Sequence, residues 1–224
     1  METAVTPSKP SGKYVTNCWY AAAWTSEITD RPFKRQLLDE RVVMFRDGDG
    51  KVAALIDRCP HRLAPLSMGE CVNGHIRCGY HGMEFDRDGQ CVNIPGQSII
   101  PPTAIARSFP VAERYNLVWL WMGDKALADE ALLPGVRKHG APGWAVIDHG
   151  YQLHAANFRI EIENLMDPAH TTFLHKQTVG NPAAKDEPIN VKRVNENGEN
   201  GIVAYRWLEN TRPCLLYTSD AADE

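Results

Sequence analysis

Two short stretches decide the fold of this chain: CPHRLAPLSMG at residues 59–69 and CGYHGMEFD at residues 78–86. They contain two Cys-His pairs, Cys59 with His61 and Cys78 with His81. Two thiolates and two imidazoles fit either a tetrahedral zinc ion or a two-iron, two-sulfur cluster with cysteine on one iron and histidine on the other. The alternative, four unrelated core and surface residues, is weakened by the second pair.

Each loop mixes one cysteine with one histidine, whereas structural zinc loops pair like ligands. This mixed arrangement resembles the Rieske protein family. The resemblance implies a Rieske 2Fe-2S cluster in which Cys59 and Cys78 hold one iron and His61 and His81 hold the other. Rieske proteins of respiratory complexes carry an extra cysteine in each loop. The corresponding residues here are Ala64 and Tyr80, which indicates the lower-potential, oxygenase type of cluster.

Short apolar runs cut by Gly, Asp and Pro surround these loops, at residues 41–45, 52–56, 75–78 and 115–122. The sequence DGDG at residues 47–50 predicts a hairpin turn between the first two runs. The run NLVWLWMG at residues 116–123 is typical of a last strand that alternates between a core and an outer face. We therefore predict a flexible tail over residues 1–13 and an antiparallel β domain over residues 14–122.

The character of the sequence changes after Gly123, where we place a domain boundary. Residues 125–133 favour a short helix, residues 134–143 a loop, and residues 151–176 mixed strand and helix. The fold class is therefore α+β, with a second, partial domain over residues 123–213.

A second constellation lies in EIENLMDPAHTTFLH at residues 161–175. At about 100° per residue, four polar side chains fall on one side of a single helix. They are Asn164, Asp167, His170 and His175. A kink at Pro168 would help both histidines to face one interior. The alternative is an amphipathic helix with two hydrogen-bonded core histidines.

Following a Rieske cluster, this segment resembles the D-x2-H-x4-H motif of Rieske non-haem iron oxygenase α subunits. Three further stretches look closest to the vanillate O-demethylase and related aromatic-acid branch: NCWYAAAWTSEI from Asn17, PGQ at residues 95–97 and VAERYNLVWLWMGD from Val111. The resemblance implies that residues 123–213 begin a helix-grip catalytic domain built on an antiparallel sheet.

Carried over residue by residue, the resemblance makes His170 and His175 ligands of a mononuclear Fe(II). Asp167 would link His170 to a Rieske histidine of a neighbouring subunit in a head-to-tail homotrimer, and Asn164 would lie close to the iron. The family takes its third ligand from an Asp much further along. Asp186, Asp220 and Asp223 lack the right context, so we assign no carboxylate ligand.

Composition excludes other classes of protein. The chain has 28 acidic and 24 basic residues, a net charge of −4 and no basic patch, which argues against a nucleic-acid partner. It also offers no apolar stretch long enough for a membrane span or a secretory signal, so we expect a cytoplasmic protein. Cys18, Cys71 and Cys91 have no partner at ligand spacing and are expected to be structural.

The predicted function is that of the oxygenase component of a Rieske system. It would use O2, and electrons from NAD(P)H through a reductase or ferredoxin, to hydroxylate or O-demethylate a small aromatic compound. A Rieske-type electron-transfer protein and a zinc-binding module are the alternatives. Residues 214–224 resemble the translation of a sequencing adapter. We therefore expect a fragment that ends before the third iron ligand and is inactive alone.

Overall fold

Short strands fill the first part of the chain. The computed structural model describes residues 13–136, 138–147, 150–167, 169–177, 180–196 and 199–209. The strands of this part are β1 (Cys18–Trp24), β2 (Phe33–Leu37), β3 (Glu40–Arg46), β4 (Val52–Ile56), β5 (Glu70–Val72), β6 (His75–Arg77), β7 (Glu84–Phe85), β8 (Cys91–Asn93), β9 (Ser108–Phe109), β10 (Val111–Arg114) and β11 (Leu117–Met122). All of their pairings are antiparallel, as the frequent turns predict.

The DGDG sequence forms the predicted turn between β3 and β4. The carboxylate oxygen Oδ1 of Asp47 accepts the main-chain N–H groups of Asp49 at 3.0 Å and of Lys51 at 2.9 Å. Gly50 has φ of 75°, a conformation that a residue without Cβ adopts at little cost. The hairpin places the end of β4 directly before the first Cys-His loop.

Three sheets stack in the first part of the chain, in the orders β1-β11-β10, β2-β3-β4-β9 and β5-β6-β7-β8. Side chains alternate along β3, so Val43 and Phe45 join one hydrophobic cluster and Val42 and Met44 join another. The first cluster also contains Cys59, Cys78 and residues of β6 and β7. The predicted cysteine ligands are therefore part of a packed core.

Strand β11 alternates as predicted, but its second face is not an outer face. Val118 and Leu120 enter the cluster shared with β3, whereas Trp119 and Trp121 face the opposite way and are 8% and 1% exposed. Leu133 and Trp19 pack with these two tryptophans. Alternation identifies the two faces of a strand but not what covers them. Here Trp19 and Leu133, which lie outside β11, cover the face that carries Trp119 and Trp121.

The segment predicted as a helix at residues 125–133 is two separate 3₁₀ turns, Lys125–Leu127 and Glu130–Leu132. The carboxylates of Asp124 and Asp129 accept N–H groups at the start of each turn. Asp129 has an extended backbone, and its carbonyl accepts the indole N–H of Trp19 at 2.7 Å. The second capping aspartate thus interrupts the helix that the composition favours.

A second compact unit begins at Gln152, and residues up to Tyr151 group with the first. It contains α1 (Phe158–Met166), α2 (Thr171–Leu174) and the antiparallel pair β12 (Asn190–Glu196) and β13 (Glu199–Tyr205). The described residues from 151 to 176 form helix but no strand, so the prediction of mixed strand and helix there is wrong. The predicted domain limits at 123 and 213 stay predictions, and residues 1–12 and 214–224 lie outside the described residues.

Most of the apolar side chains of the second unit are exposed. Helix α1 has no buried residue, and Leu165 is 81% exposed. Among its described residues the unit buries only Thr172 and Ala184. These described elements therefore have no hydrophobic core of their own.

Candidate metal-binding sites

The two Cys-His loops have the same main-chain design. Cys59 N–H donates to Ala64 O at 2.8 Å, and Cys59 O accepts Leu63 N–H at 2.9 Å. The second loop repeats both bonds, from Cys78 N–H to Met83 O at 2.8 Å and from Gly82 N–H to Cys78 O at 3.0 Å. The fourth position after each cysteine has positive φ, 60° at Leu63 and 75° at Gly82. The two loops thus hold their cysteines by equivalent main-chain bonds, although His61 follows its cysteine by two residues and His81 by three.

The four predicted ligands form two pairs of like residues. Cys59 and Cys78 are each 2% exposed and lie in the same hydrophobic cluster, where their thiols are neighbours. His61 and His81 are exposed, with ring centroids 4.7 Å apart and ring planes inclined at 56°. In the described part of the chain, no three His, Cys, Asp or Glu side chains converge on one point as ligands of a single ion. Pairing of like ligands suits two irons, whereas zinc would gather all four.

Burial raises the pKa of the Cys59 thiol to about 11, and the neighbouring Cys78 thiol adds to this rise. Without a cation beside it, the buried Cys59 thiol therefore holds its proton at neutral pH. Iron binds the thiolate, so its positive charge would supply the stabilisation that this environment lacks. The donor set consequently fits a metal cluster better than a pair of reactive cysteines.

Asp57 anchors the first loop, and sequence reasoning missed it. Its side chain is 4% exposed, and its two oxygens accept the N–H and the Oγ–H of Ser67, both at 2.7 Å. Asp57 stands just before the stretch 59–69 and Ser67 lies near its end, so these two bonds close the loop at its base. A lone Asp gives no signal in sequence, because its partner becomes a neighbour only when the loop folds.

Two glycines allow the loops to approach each other. A Cβ on Gly69 would collide with the carbonyl oxygen of Arg77, and a Cβ on Gly79 would lie 2.9 Å from Met68 O. Local sequence pattern does not predict this role, because the two contacts join different loops. The absence of a side chain at Gly69 and Gly79 is what lets the end of one loop lie against the start of the other.

Tyr80 stacks on His81, with ring centroids 4.0 Å apart and planes inclined at 26°. The tyrosine is 65% exposed, so this contact lies at the surface. An open groove of about 490 Å³ contains both imidazoles, together with Met83, Pro95 and other uncharged residues. The two histidines are thus accessible from solvent, whereas the two cysteines are buried.

The remaining described cysteines, Cys18, Cys71 and Cys91, are free and buried or half-buried. Their structural role stays a prediction, and Cys214 lies outside the described residues. His75, on β6, is half-buried.

His170 and His175 come together, but they do so by a different route from the predicted one. Helix α1 ends at Met166, Asp167 is its C-cap, and α2 lies between the two histidines, which cap its ends. The ring centroids are 5.3 Å apart and the planes are inclined at 72°. The prediction that these residues share one continuous helical face is therefore wrong. Pro168, the residue predicted to kink that helix, lies outside the described residues.

Asp167 lies beside His170. Its main-chain carbonyl is 2.5 Å from His170 Nδ1, and its carboxylate oxygen Oδ1 accepts Ala169 N–H at 2.8 Å. The side chain of Asn164 is exposed in the last turn of α1, and the main-chain carbonyl of Asn164 accepts Asp167 N–H. The structure thus brings His170, His175 and Asp167 together. It leaves Asn164 exposed on the helix.

Comparison with protein families identifies two domains. Residues 18–109 match the Rieske [2Fe-2S] domain, and residues 154–221 match the vanillate O-demethylase oxygenase C-terminal domain. The chain belongs to the Rieske oxygenase family. The prediction of this family is confirmed, and with it the Rieske cluster in place of zinc.

Relatives agree with this assignment. The chain is 41% identical over 196 residues to a putative toluene-4-sulfonate monooxygenase system iron-sulfur subunit of Comamonas testosteroni, covering 88% of this chain and 56% of the relative. It is 44% identical over 164 residues to the oxygenase component of dicamba O-demethylase of Stenotrophomonas maltophilia, covering 73% and 48%. The chain spans about half the length of these relatives.

A crystal structure of dicamba monooxygenase bound to 3,6-dichlorosalicylic acid matches the fold of this Rieske oxygenase chain. The TM-score is 0.84 at 38% identity, over 94% of this chain and 61% of the other. This similarity confirms the α+β class with a β Rieske domain first. No helix in the described ranges has the length and apolar character needed to cross a membrane.

Proposed function

We propose that this chain belongs to the oxygenase component of a Rieske non-haem iron system. The observation that carries the proposal is the pairing of like ligands, thiol with thiol and imidazole with imidazole, on two loops of equal design. A second pair of candidate metal ligands, His170 and His175 at the ends of α2, extends this proposal. An electron-transfer protein, the alternative reading, has no need of that second pair.

Six side chains would hold the metal centres of this system. Cys59 and Cys78 would hold the buried iron of a 2Fe-2S cluster, and His61 and His81 the exposed one. His170 and His175 would bind a mononuclear Fe(II). When bound, the cluster supplies single electrons, and an iron held by two histidines and a carboxylate supplies open positions for dioxygen and substrate. The third ligand is left unassigned.

Asp167 would connect the two metal centres across subunits, from a Rieske histidine of a neighbouring chain to His170. This route requires a head-to-tail homotrimer of the full-length protein. In support, the main-chain carbonyl of Asp167 contacts His170 Nδ1. The side chain of Asp167 is 52% exposed, and its oxygen Oδ2 lies 3.8 Å from the same nitrogen. Asn164 would lie close to the iron.

The substrate class we propose is a small aromatic compound, an aromatic acid or an aryl methyl ether, hydroxylated or O-demethylated with O2. Support comes from the relatives, which are named for toluene-4-sulfonate and dicamba. The electrons would come from NAD(P)H through a reductase or ferredoxin, and the protein would work in the cytoplasm without nucleic acid or membrane.

The decisive test uses the full-length gene product with a reductase. NADH and oxygen consumption on a panel of methoxylated aromatic acids should rise above the rate without substrate, with the demethylated phenol and formaldehyde as products. A matched sample with His170→Ala should keep the cluster spectrum and lose turnover. Cluster formation without turnover of any substrate in the wild type would favour the electron carrier. A colourless, zinc-containing protein would contradict both.

A further inference from the structure

The first Cys-His loop separates two grooves of different character. The groove of about 490 Å³ that contains His61 and His81 has no Asp, Glu, Lys or Arg in its lining. A second groove, of about 390 Å³, is lined by Arg58, Arg107 and other residues. Pro60 lines both. The prospective cluster is thus approached from an uncharged side and from a charged side.

Positive charge dominates the second groove once its ion pairs are counted. Glu40 lines it but is paired with Arg107. Arg58 lines the groove, and Arg62 directly precedes the groove residue Leu63 in the chain; both arginines are exposed, and among the described residues neither has an ion-pair partner. The whole chain has a net charge of −4. An uncompensated positive patch beside the cluster loop therefore runs against the overall charge of the protein.

Two other acidic residues near this groove are also engaged. Asp39 is paired with Lys13 at 2.9 Å, and Asp57 is buried with both oxygens bonded to Ser67. Asp57 keeps its negative charge, because Ser67 is neutral, but it is buried, and among the described residues neither acid forms an ion pair with the exposed Arg58.

Exposed apolar side chains complete this surface. Leu63, in the cluster loop, is 60% exposed, and Ile105, which lines the same groove, is 45% exposed. Leu63 has φ of 60°, which is uncommon for a residue with a Cβ. Apolar side chains accompanied by arginines are typical of protein interfaces, and arginine is enriched there.

From this arrangement we infer that the surface formed by Arg58, Arg62, Leu63 and Ile105 is the docking site of an acidic electron-donor protein. Electrons would enter the cluster from this basic side, and the uncharged groove with the two imidazoles would remain free as the exit side. The inference rests on the proposed function, because it presupposes the cluster. Positive charge at the entry side would steer a negatively charged donor and raise its association rate.

The test measures reduction of the cluster in the full chain. An acidic plant-type ferredoxin, reduced beforehand, is mixed with the cluster-loaded chain in a stopped-flow instrument at low and high salt. The double variant Arg58→Glu/Arg62→Glu is compared with Lys34→Glu/Lys51→Glu, which makes the same change of charge at two exposed residues outside both grooves. Absorbance, acid-labile sulfide and midpoint potential verify that every variant holds an unaltered cluster.

We expect the arginine variant to reduce the second-order rate constant roughly tenfold or more at low salt, with the difference shrinking at high salt. The lysine control should stay within about twofold of the wild type. Should the reversals prevent folding, Arg58→Gln/Arg62→Gln gives the same comparison with a smaller expected loss.

Equal rates in all variants would overturn the docking site, as would an equal loss in the lysine control, which would report net charge alone. Self-association of the chain that Arg58→Glu abolishes would identify a second copy as the occupant and would also overturn it. Failure of the wild-type chain to bind any cluster would instead reject the proposed function, so the two failures are distinguishable.

Discussion

The ring nitrogen Nδ1 of His170 lies 2.5 Å from the main-chain carbonyl oxygen of Asp167 and 3.8 Å from its carboxylate oxygen Oδ2. The carbonyl is therefore the nearer acceptor, and it assigns the proton to Nδ1. The lone pair is then on Nε2, which is the usual way in which a hydrogen bond orients a metal-binding histidine. The main chain of Asp167 orients His170, and the carboxylate is available for a different task.

This division predicts the behaviour of Asp167→Asn in the full-length protein. The carbonyl contact is kept, so iron content should stay at the wild-type level, whereas turnover should fall roughly 10–100-fold because the charged connector is lost. Iron and sulfide analysis with single-turnover oxidation of the cluster measures both. Asp186→Asn, an exposed change elsewhere in the second unit, should leave turnover intact. Full turnover in Asp167→Asn would refute the assigned route.

The same pair of residues shows what the sequence could predict. The Rieske loops were predictable because each Cys-His pair lies within a few residues, so the motif that carries the family resemblance is local in sequence. The periodicity of residues 161–175 predicts one continuous helix through Asp167. The extended backbone of Asp167 ends α1, and His170 starts α2. Periodicity holds no information about such a break, although the two histidines still meet.

Long-range contacts account for the other differences. Alternation in β11 predicted two faces, but the cover of Trp119 and Trp121 comes from Trp19 and Leu133, far away in sequence. Asp57 likewise gains its role only through Ser67. Such partners follow from the assembled fold, so they are outside the reach of local pattern.

The close approach of the loops predicts a severe effect of Gly69→Ala. The new methyl group would meet the carbonyl of Arg77, and main chain cannot move aside as a flexible side chain can. We expect a loss of several kcal/mol, about 2–4, in the free energy of unfolding, and little cluster after reconstitution. Urea unfolding and sulfide analysis measure these. Gly48→Ala has open space around the added Cβ and should behave like the wild type. A fully loaded, stable Gly69→Ala chain would contradict the packing.

The stacked ring of Tyr80 predicts a difference between two substitutions. Tyr80→Phe keeps the ring over His81, so the electron paramagnetic resonance spectrum of the reduced cluster and its lifetime should match the wild type. Tyr80→Ala removes a contact worth about 0.5–1.5 kcal/mol, so bleaching by a chelator should accelerate severalfold and the spectrum should broaden. Equal bleaching rates for Ala and Phe would show that the stack does not hold His81. Val92→Ala, an exposed change on β8, serves as the control.

The environment of Cys71 predicts a pH-dependent reaction with alkylating reagents. Burial raises the pKa of this thiol to about 11, and the negative charge of Asp30 adds to the rise. Since the thiolate is the reactive form, iodoacetamide should spare Cys71 in the folded chain at pH 7, and labelling should increase about tenfold for each pH unit towards 11. Mass spectrometry of the digested chain measures the modified fraction.

The raised pKa of the Cys71 thiol also determines how the free energy of unfolding depends on pH. The folded chain holds the Cys71 proton more tightly than the unfolded chain, whose thiol has the ordinary pKa of 9.0. The contribution to the free energy of unfolding is therefore complete below pH 9 and is lost as the pH rises through 11. Asp30→Asn should move the onset of labelling to lower pH, and chain unfolded in urea should react readily at pH 9. Rapid labelling of folded Cys71 at pH 7 would show that the thiol is not protected.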